Sequence, residues 1–213
     1  RRQRQMCIRD RLSYSGRIDF DDRLAPVLVY ACSSIGMKFT GTSLKAVIAN
    51  HRSCWTNELG YFIDGEQKRF TLSSDEEKKT YALAEGLSEG THELLLFKRM
   101  DSCHTFTFYG FEIDDGAKVL PLPEKPKRKM EFFGDSVSCG EVSEAVAYVG
   151  KPDPEHDGEY SNSWYSYAWM TARKLNAQIH DTSQGGISLL DDTGWFAAPV
   201  SYTHLRAHET DSY

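Results

Sequence analysis

No apolar run in this 213-residue chain approaches the roughly 18 residues that a membrane-spanning helix needs, so nothing in it reads as a transmembrane segment. Basic residues are few and scattered: 25 Lys and Arg stand against 31 Asp and Glu, for a net charge of −6. The one basic cluster, Lys125 to Lys129, is short and Pro-rich, which argues against a nucleic-acid partner. Cysteine is sparse as well. Cys7, Cys32, Cys54, Cys103 and Cys139 include no C-x-x-C pair, so no zinc site is expected. Free, partly buried thiols are the default, and spacing alone leaves the disulfides of a secreted protein open. What remains is ordinary for a globular chain, 40% hydrophobic and 26% charged, and long enough to bury a real core in one large domain or two small ones.

The two ends carry no apolar periodicity. "RRQRQMCIRDR" and "VSYTHLRAHET" resemble translations of the adapters used to tag DNA for sequencing. ATG-TGT-ATA-AGA-GAC reads Met6-Cys7-Ile8-Arg9-Asp10, and the reverse complement of the same tag reads Val200-Ser201-Tyr202-Thr203-His204. Natural disordered tails are the alternative. Residues 1–11 and 200–213 are therefore set aside as adapter-like and disordered. Without them the remainder is more acidic than the whole. It is expected to be a fragment cut on both sides, in which a signal peptide would not be observable.

Between these ends the texture changes once. From Tyr14 to about Leu120 the chain reads as short strands at roughly ten-residue spacing with turns between them, the pattern of a β-sandwich or jelly roll. Ile35, Met37 and Phe39 alternate with Gly36 and Lys38, which puts one face in a core. Asp64-Gly65 between two runs predicts a hairpin. "KKTYALAEG" and "GTHELLLFKRM" predict two more strands. The phase slip at Tyr109-Gly110 in "HTFTFYGFEID" predicts a bulge. Pro121 to Lys129 is a stiff, solvated connector. Beyond it come an apolar run, "MEFF", and a predicted helix in "YSNSWYSYAWMTARKLNA". There Trp164, Ala168, Ala172 and Leu175 recur at helical spacing, with N-caps offered by Ser161, Asn162 and Ser163. A strand in "AQIHDTS" follows. Strand, helix, strand predicts the start of an α/β domain with a parallel sheet. The expected domains are thus a β-sandwich over 12–120, a linker over 121–129 and an incomplete α/β domain over 130–199.

The chemistry-bearing candidate is Ser136. A nucleophilic serine needs exposure, a general base and donors for the oxyanion. A strand that stops at Gly134-Asp135-Ser136 supplies exposure, and the serine's own N–H supplies one donor. The stretch is not the G-x-S-x-G elbow, because Ser138 stands where that motif has glycine. Gly-Asp-Ser by itself arises by chance in roughly one chain in twenty of this length. Its place after an apolar run, and the second turn "SQGGI" at Ser183 to Ile187, carry more weight. Neighbouring parallel strands open their carboxyl ends on one crevice, so Gly185 or Gly186 is expected to offer a backbone N–H beside Ser136. Asp135 is expected to support the loop rather than act as an acid or base. His180 precedes the glycine turn on the wrong strand for a base. Asp191 and Asp192 read as loop charges. His204 and His208 fall in the adapter-like end. Trp164 and Trp169 read as packing residues, whereas Trp195, in a loop after Gly194, is a candidate sugar-stacking residue.

"GRIDFDD", "FTGTSL", "YFIDGE", "GTHELLLFKR", "FYGFEID", "FFGDSVSCGE" and "SQGGISLLD" together resemble carbohydrate esterase family 2, over about Tyr14 to Pro199. The resemblance implies a jelly-roll sandwich followed by an SGNH (GDSL-type) hydrolase domain, here truncated. It also implies O-deacetylation of xylan- or mannan-type plant-wall polysaccharides without metal or cofactor. Ser136 would be the nucleophile and an oxyanion donor, with Gly185 or Gly186 as the second donor, because the second block fits in two registers. The family's later Asn and His have no counterpart, so this stretch alone is expected to be inactive. Acetylated polysaccharide or oligosaccharide is the implied partner, with neither nucleic acid nor membrane, and the substrate class favours an extracellular location. Two alternatives stand: a non-catalytic glycan-binding sandwich using Trp55, and an SGNH lipase or acyltransferase.

Overall fold

Alternation along "SIGMKFT" does what it predicts: Ile35, Met37 and Phe39 are fully buried on strand β4, Ser34–Thr40. The computed structural model describes residues 11–188 and Gly194, and in them β-structure dominates. One antiparallel sheet runs in the order β1 (Ser13–Ser15), β4, β9 (Thr91–Lys98), β6 (Glu58–Ile63), β7 (Glu66–Thr71), with β11 (Val119–Leu120) also paired to β4. A second antiparallel sheet runs β2 (Ile18–Asp19), β3 (Val27–Leu28), β10 (Thr105–Ile113), β5 (Leu44–His51), β8 (Lys79–Ala84). Their inner faces share one cluster, with Met37, Leu59, Tyr61, Leu94 and Leu96 meeting Leu28, Leu44, Ile48, Leu83, Phe106 and Phe108. Asp64 and Gly65 both take positive φ in the turn between β6 and β7, the conformation a two-residue hairpin requires. The pairing of β10 with β5 slips between Phe108 and Gly110, at the expected bulge.

Strand β9 carries an apolar run, Leu94 to Phe97, and along that run both faces are covered. Leu94 and Leu96 point into the shared core, while Leu95 and Phe97 belong to a second cluster with Ala31, Cys32, Cys139, Ala168, Trp169, Ala172 and Ile179. That second cluster joins the sheets to the rest of the chain. There β12 (Arg128–Gly134) pairs in parallel with β13 (Ala177–Ser183), and the short helix α1 (Ser136–Cys139) and helix α2 (Tyr167–Lys174) lie between them in sequence. Gly60 on β6 permits the joint, because a Cβ there would sit inside the Phe97 ring. Phe97 meets Trp169 edge-on at 5.4 Å and Trp164 at 5.8 Å, and the Arg173 guanidinium lies 3.6 Å from the Trp164 ring centroid.

The helix is shorter than its periodicity predicts. Residues 163–165 form a 3-10 turn capped by Asn162, and Ser166 is extended and caps α2 by accepting the Trp169 N–H. The side chains of Asn162, an expected cap, and Ser166, an unexpected one, compete with the helical backbone, so one predicted helix becomes a turn and eight residues of helix. Strand β12 also begins earlier than "MEFF", at Arg128, inside the Pro-rich connector. The four described cysteines, Cys32, Cys54, Cys103 and Cys139, are free. Among the described residues no helix is long and apolar enough to cross a membrane.

If Phe97 is the contact that seats α2 on the sheets, Phe97→Ala lowers stability by ~3–5 kcal/mol, as for other large-to-small core changes. Urea unfolding followed by tryptophan fluorescence checks this, since Trp164 and Trp169 report on the same contact.

Candidate functional site

Parallel pairing puts the two candidate turns side by side. Gly134 is level with Ser183 in the register of β12 and β13, so Asp135-Ser136 and Gln184-Gly185-Gly186 leave the same end of the sheet. The Gln184 N–H donates to the Gly134 carbonyl at 3.2 Å and ties the turns together. A Cβ on Gly134 would overlap Ser138, with 2.8 Å to its Cβ; glycine therefore lets α1 fold back over the strand end. Asp135 caps α1, accepting the Val137 N–H at 3.1 Å. Ser136 opens the helix, half-buried; among the described residues its hydroxyl has no hydrogen-bond partner. Gly140, with φ of 78°, ends the helix.

The second turn is held from outside the parallel pair. The Gly185 N–H donates to Asp101 Oδ2 at 2.9 Å. A Cβ on Gly185 would fall within the Glu141 carboxylate and 3.1 Å from Asp101 Oδ2. Gly186 has φ of 74°, and among the described residues its N–H has no partner. The two glycines that sequence left equivalent thus differ: among the described residues, the N–H of one is engaged by a carboxylate and that of the other is not.

Asp101, Glu141, Lys98, Arg99 and Ser102 are the site's neighbours that sequence reasoning missed. The signal for them is the pair Lys98-Arg99 following the apolar run Leu94 to Phe97. Lys98 is fully buried, and its ammonium donates to the carbonyls of Met100, at 2.6 Å, and Asp101. Burial pushes it down to about 8. Arg99 donates to the Ser161 carbonyl at 2.9 Å and to Glu144 Oε2 at 2.6 Å, linking the sheets to the segment between α1 and α2. Burial, helped by the charges of Asp101 and Asp135, pushes Glu141 up to about 7, and among the described residues its buried Oε1 has no hydrogen-bond partner. Burial likewise raises Asp181 to about 6 despite hydrogen bonds from Ser183 Oγ and Cys32 Sγ. His180 lies on β13 opposite Glu131, exposed. Trp55 is half-buried and stacked on His104, with ring centroids 5.8 Å apart. Trp195, Asp191, Asp192, His204 and His208 lie outside the described residues. Among those described, no three His, Cys, Asp or Glu side chains gather in a group able to hold a metal.

A serine and a glycine turn at the carboxyl ends of two parallel strands, beside an antiparallel two-sheet unit, define a recognisable arrangement. The family model for the N-terminal part of carbohydrate esterase 2 matches residues 14–123. This chain belongs to carbohydrate esterase family 2. It is 32% identical over 188 residues to the cellulase/esterase CelE of Acetivibrio thermocellus, covering 88% of this chain and 22% of that protein. It is 27% identical over 165 residues to an acetylxylan esterase / glucomannan deacetylase of Cellvibrio japonicus, covering 74% and 44%. Among solved structures, a family two carbohydrate esterase from Clostridium thermocellum in complex with cellohexaose aligns with a TM-score of 0.75 at 31% identity, over 88% of this chain and 55% of that one. The chain thus spans less than half of those curated relatives' lengths.

The Glu141 carboxyl has a pH signature. Its folded value of about 7 lies above the ordinary 4.5, so between these values the folded state binds the extra proton. The stabilisation is fully present below 4.5 and is lost as pH rises through about 7. Glu141→Gln is expected to flatten this fall and to be more stable than wild type at about pH 8 but not at about pH 5. Urea midpoints at the two pH values check it, and equal wild-type and variant slopes contradict it.

Proposed function

We propose that the full-length protein is a serine carbohydrate esterase that removes O-acetyl groups from xylan- or mannan-type polysaccharides. The observation that carries the reading is the juxtaposition of Ser136 with the Gly185-Gly186 turn at one end of the β12–β13 pair. In this reading residues 12–120 are a jelly-roll domain, 121–129 a linker, and the chain from 130 onward the first part of an SGNH hydrolase domain. The names of the relatives, an acetylxylan esterase / glucomannan deacetylase and a cellulase/esterase, support the substrate class, and the cellohexaose complex of a similar structure supports a glycan partner.

Ser136 Oγ attacks the acetyl carbonyl as a base takes its proton. The tetrahedral oxyanion is met by the Ser136 N–H at the start of α1 and by a glycine N–H of the second turn, the sugar hydroxyl leaves, and water releases acetate. Gly186 is favoured as the second donor, because the Gly185 N–H is already spent on Asp101. Asp135 acts as a cap that holds the serine loop. None of the described residues hydrogen-bonds the Ser136 hydroxyl to serve as its base.

The test is acetate release from acetylated xylan by the full-length gene product. Ser136→Ala is expected to lower kcat by about 10⁴-fold or more, and a loss of only a few-fold overturns the assignment. The 213 residues assayed alone are expected to release acetate no faster than that variant, and robust turnover by them contradicts the need for a further base. A second reading, a glycan-binding sandwich, rests on Trp55. It predicts that the full-length Trp55→Ala protein loses polysaccharide retention in a pull-down and that Ser136→Ala does not.

A further inference from the structure

The second glycine turn is fixed by the β-sheet unit, a different part of the fold from the strands that present it. We propose that Asp101, on the loop leaving β9, is a positioning residue for that turn: by holding the Gly185 peptide it sets the direction in which Gly186 presents its N–H. The proposal rests on the esterase reading above for its catalytic consequence, but not for its geometry.

The turn is fastened at three points. Gln184 N–H donates to Gly134 O at 3.2 Å, Ser102 Oγ donates to Gln184 Oε1 at 2.7 Å, and Gly185 N–H donates to Asp101 Oδ2 at 2.9 Å. The first bond ties the turn to the serine strand, and the other two come from the loop after β9. Two consecutive glycines have wide conformational freedom, so without the outer fastening nothing in the turn itself selects one direction for the Gly186 N–H. With the peptide between Gln184 and Gly185 held, only the Gly185 dihedrals separate it from that N–H. Glu141 and Asp101 crowd the Gly185 Cα on the side where a Cβ would stand.

Asp101 is itself immobilised, as a positioning group must be. It is 3% exposed. Its Oδ1 accepts the Cys103 N–H at 3.1 Å, and Lys98 grips its main-chain carbonyl from below. His104, fully buried, backs the same oxygen: the Trp55 N–H donates to His104 Nε2 at 3.0 Å, so Nε2 is the acceptor and Nδ1 carries the proton. Nδ1 lies 3.5 Å from Asp101 Oδ1, near enough for charge attraction but without a formed hydrogen bond among the described residues. A carboxylate beside a developing oxyanion would oppose it, but here the buried Lys98 ammonium supplies the balancing charge. Burial by itself would raise Asp101, yet His104, Lys98 and the Gly185 N–H together hold it below the usual carboxylate range, so it stays an acceptor at neutral pH.

The experiment compares Asp101→Ala and Asp101→Asn with Ser136→Ala and Asp64→Asn in the full-length gene product. Asp64 is the matched control, because it too pairs with a histidine in the β-sheet unit, His92, at 2.6 Å, away from both turns. Expected for Asp101→Ala is a kcat lower by about 10²-fold, the scale of a misplaced catalytic group, with KM within about twofold. Amide exchange at Gly185 should be at least about tenfold faster, since a protecting bond is gone, while Met130 to Phe133 stay protected. Asp64→Asn should leave kcat and Gly185 exchange unchanged. If Asp101→Ala does not fold, Asp101→Asn, which keeps the volume, carries both readouts in the same direction. Unchanged Gly185 exchange overturns the positioning role. Unchanged kcat with Ser136→Ala inactive overturns its catalytic part and leaves the esterase reading standing. Full activity in Ser136→Ala overturns the esterase reading, and the exchange result then decides the positioning role alone.

Discussion

Everything at the candidate site depends on the second half of β9, Leu94 to Lys98, being covered on both faces. One face of the strand closes the core between the two sheets, and the other, through Phe97, receives Trp164 and Trp169 and so seats α2. Aromatic contacts of this kind supply large buried area and some directional preference. Two buried cations follow, Lys98 at the end of the strand and Arg99 just beyond it. Burying Lys98 and Arg99 is costly unless their donors are met. Here they are met by the main-chain carbonyls of Met100, Asp101 and Ser161 and by Glu144. Those partners lie on both sides of the joint, so the charge requirement that would otherwise be a penalty fixes how the two parts meet.

From that joint the geometry of the turns follows. Ser163 Oγ donates to the Lys98 carbonyl and Arg99 Nε to the Ser161 carbonyl, which pins the start of the 163–165 turn and with it α2. Helix α2 covers the β12–β13 pair from one side through Ala168, Ala172 and Ile179. The parallel register then brings Gly134 level with Ser183. Two glycines, Gly134 and Gly185, occur where a neighbouring side chain already fills the space of a Cβ. Their role is close approach, since neither has the positive φ that marks Gly140 and Gly186.

The acids around the site are not equivalent. Glu141 and Asp181 are raised by burial toward neutrality, whereas Asp101, although also buried, is held low by His104, the Lys98 charge and the Gly185 N–H. Carboxyls within one small region are thus separated by environment, as happens wherever low dielectric and unequal hydrogen bonding meet. Among the described residues Glu141 Oε1 has no hydrogen-bond partner, as suits a carboxyl that holds its proton into the neutral range.

The amino-acid sequence by itself determined the strands, because alternation and turn chemistry are local: Ile35, Met37 and Phe39, the Asp64-Gly65 hairpin and the bulge before Gly110 are where their residues place them. It also singled out Ser136 and the glycine pair, since a strand that stops at Gly-Asp-Ser is visible without partners. It misjudged the helix, where Asn162 and Ser166 turned cap chemistry into a break, and it could not rank Gly185 against Gly186. It gave no hint that Asp101 faces Gly185, 84 residues further along the chain. Contacts of that separation have no local pattern. They exist only once Phe97, Lys98 and Arg99 have fixed one unit against the other, and so the tertiary structure alone decided that the Gly185 N–H is the one held by Asp101.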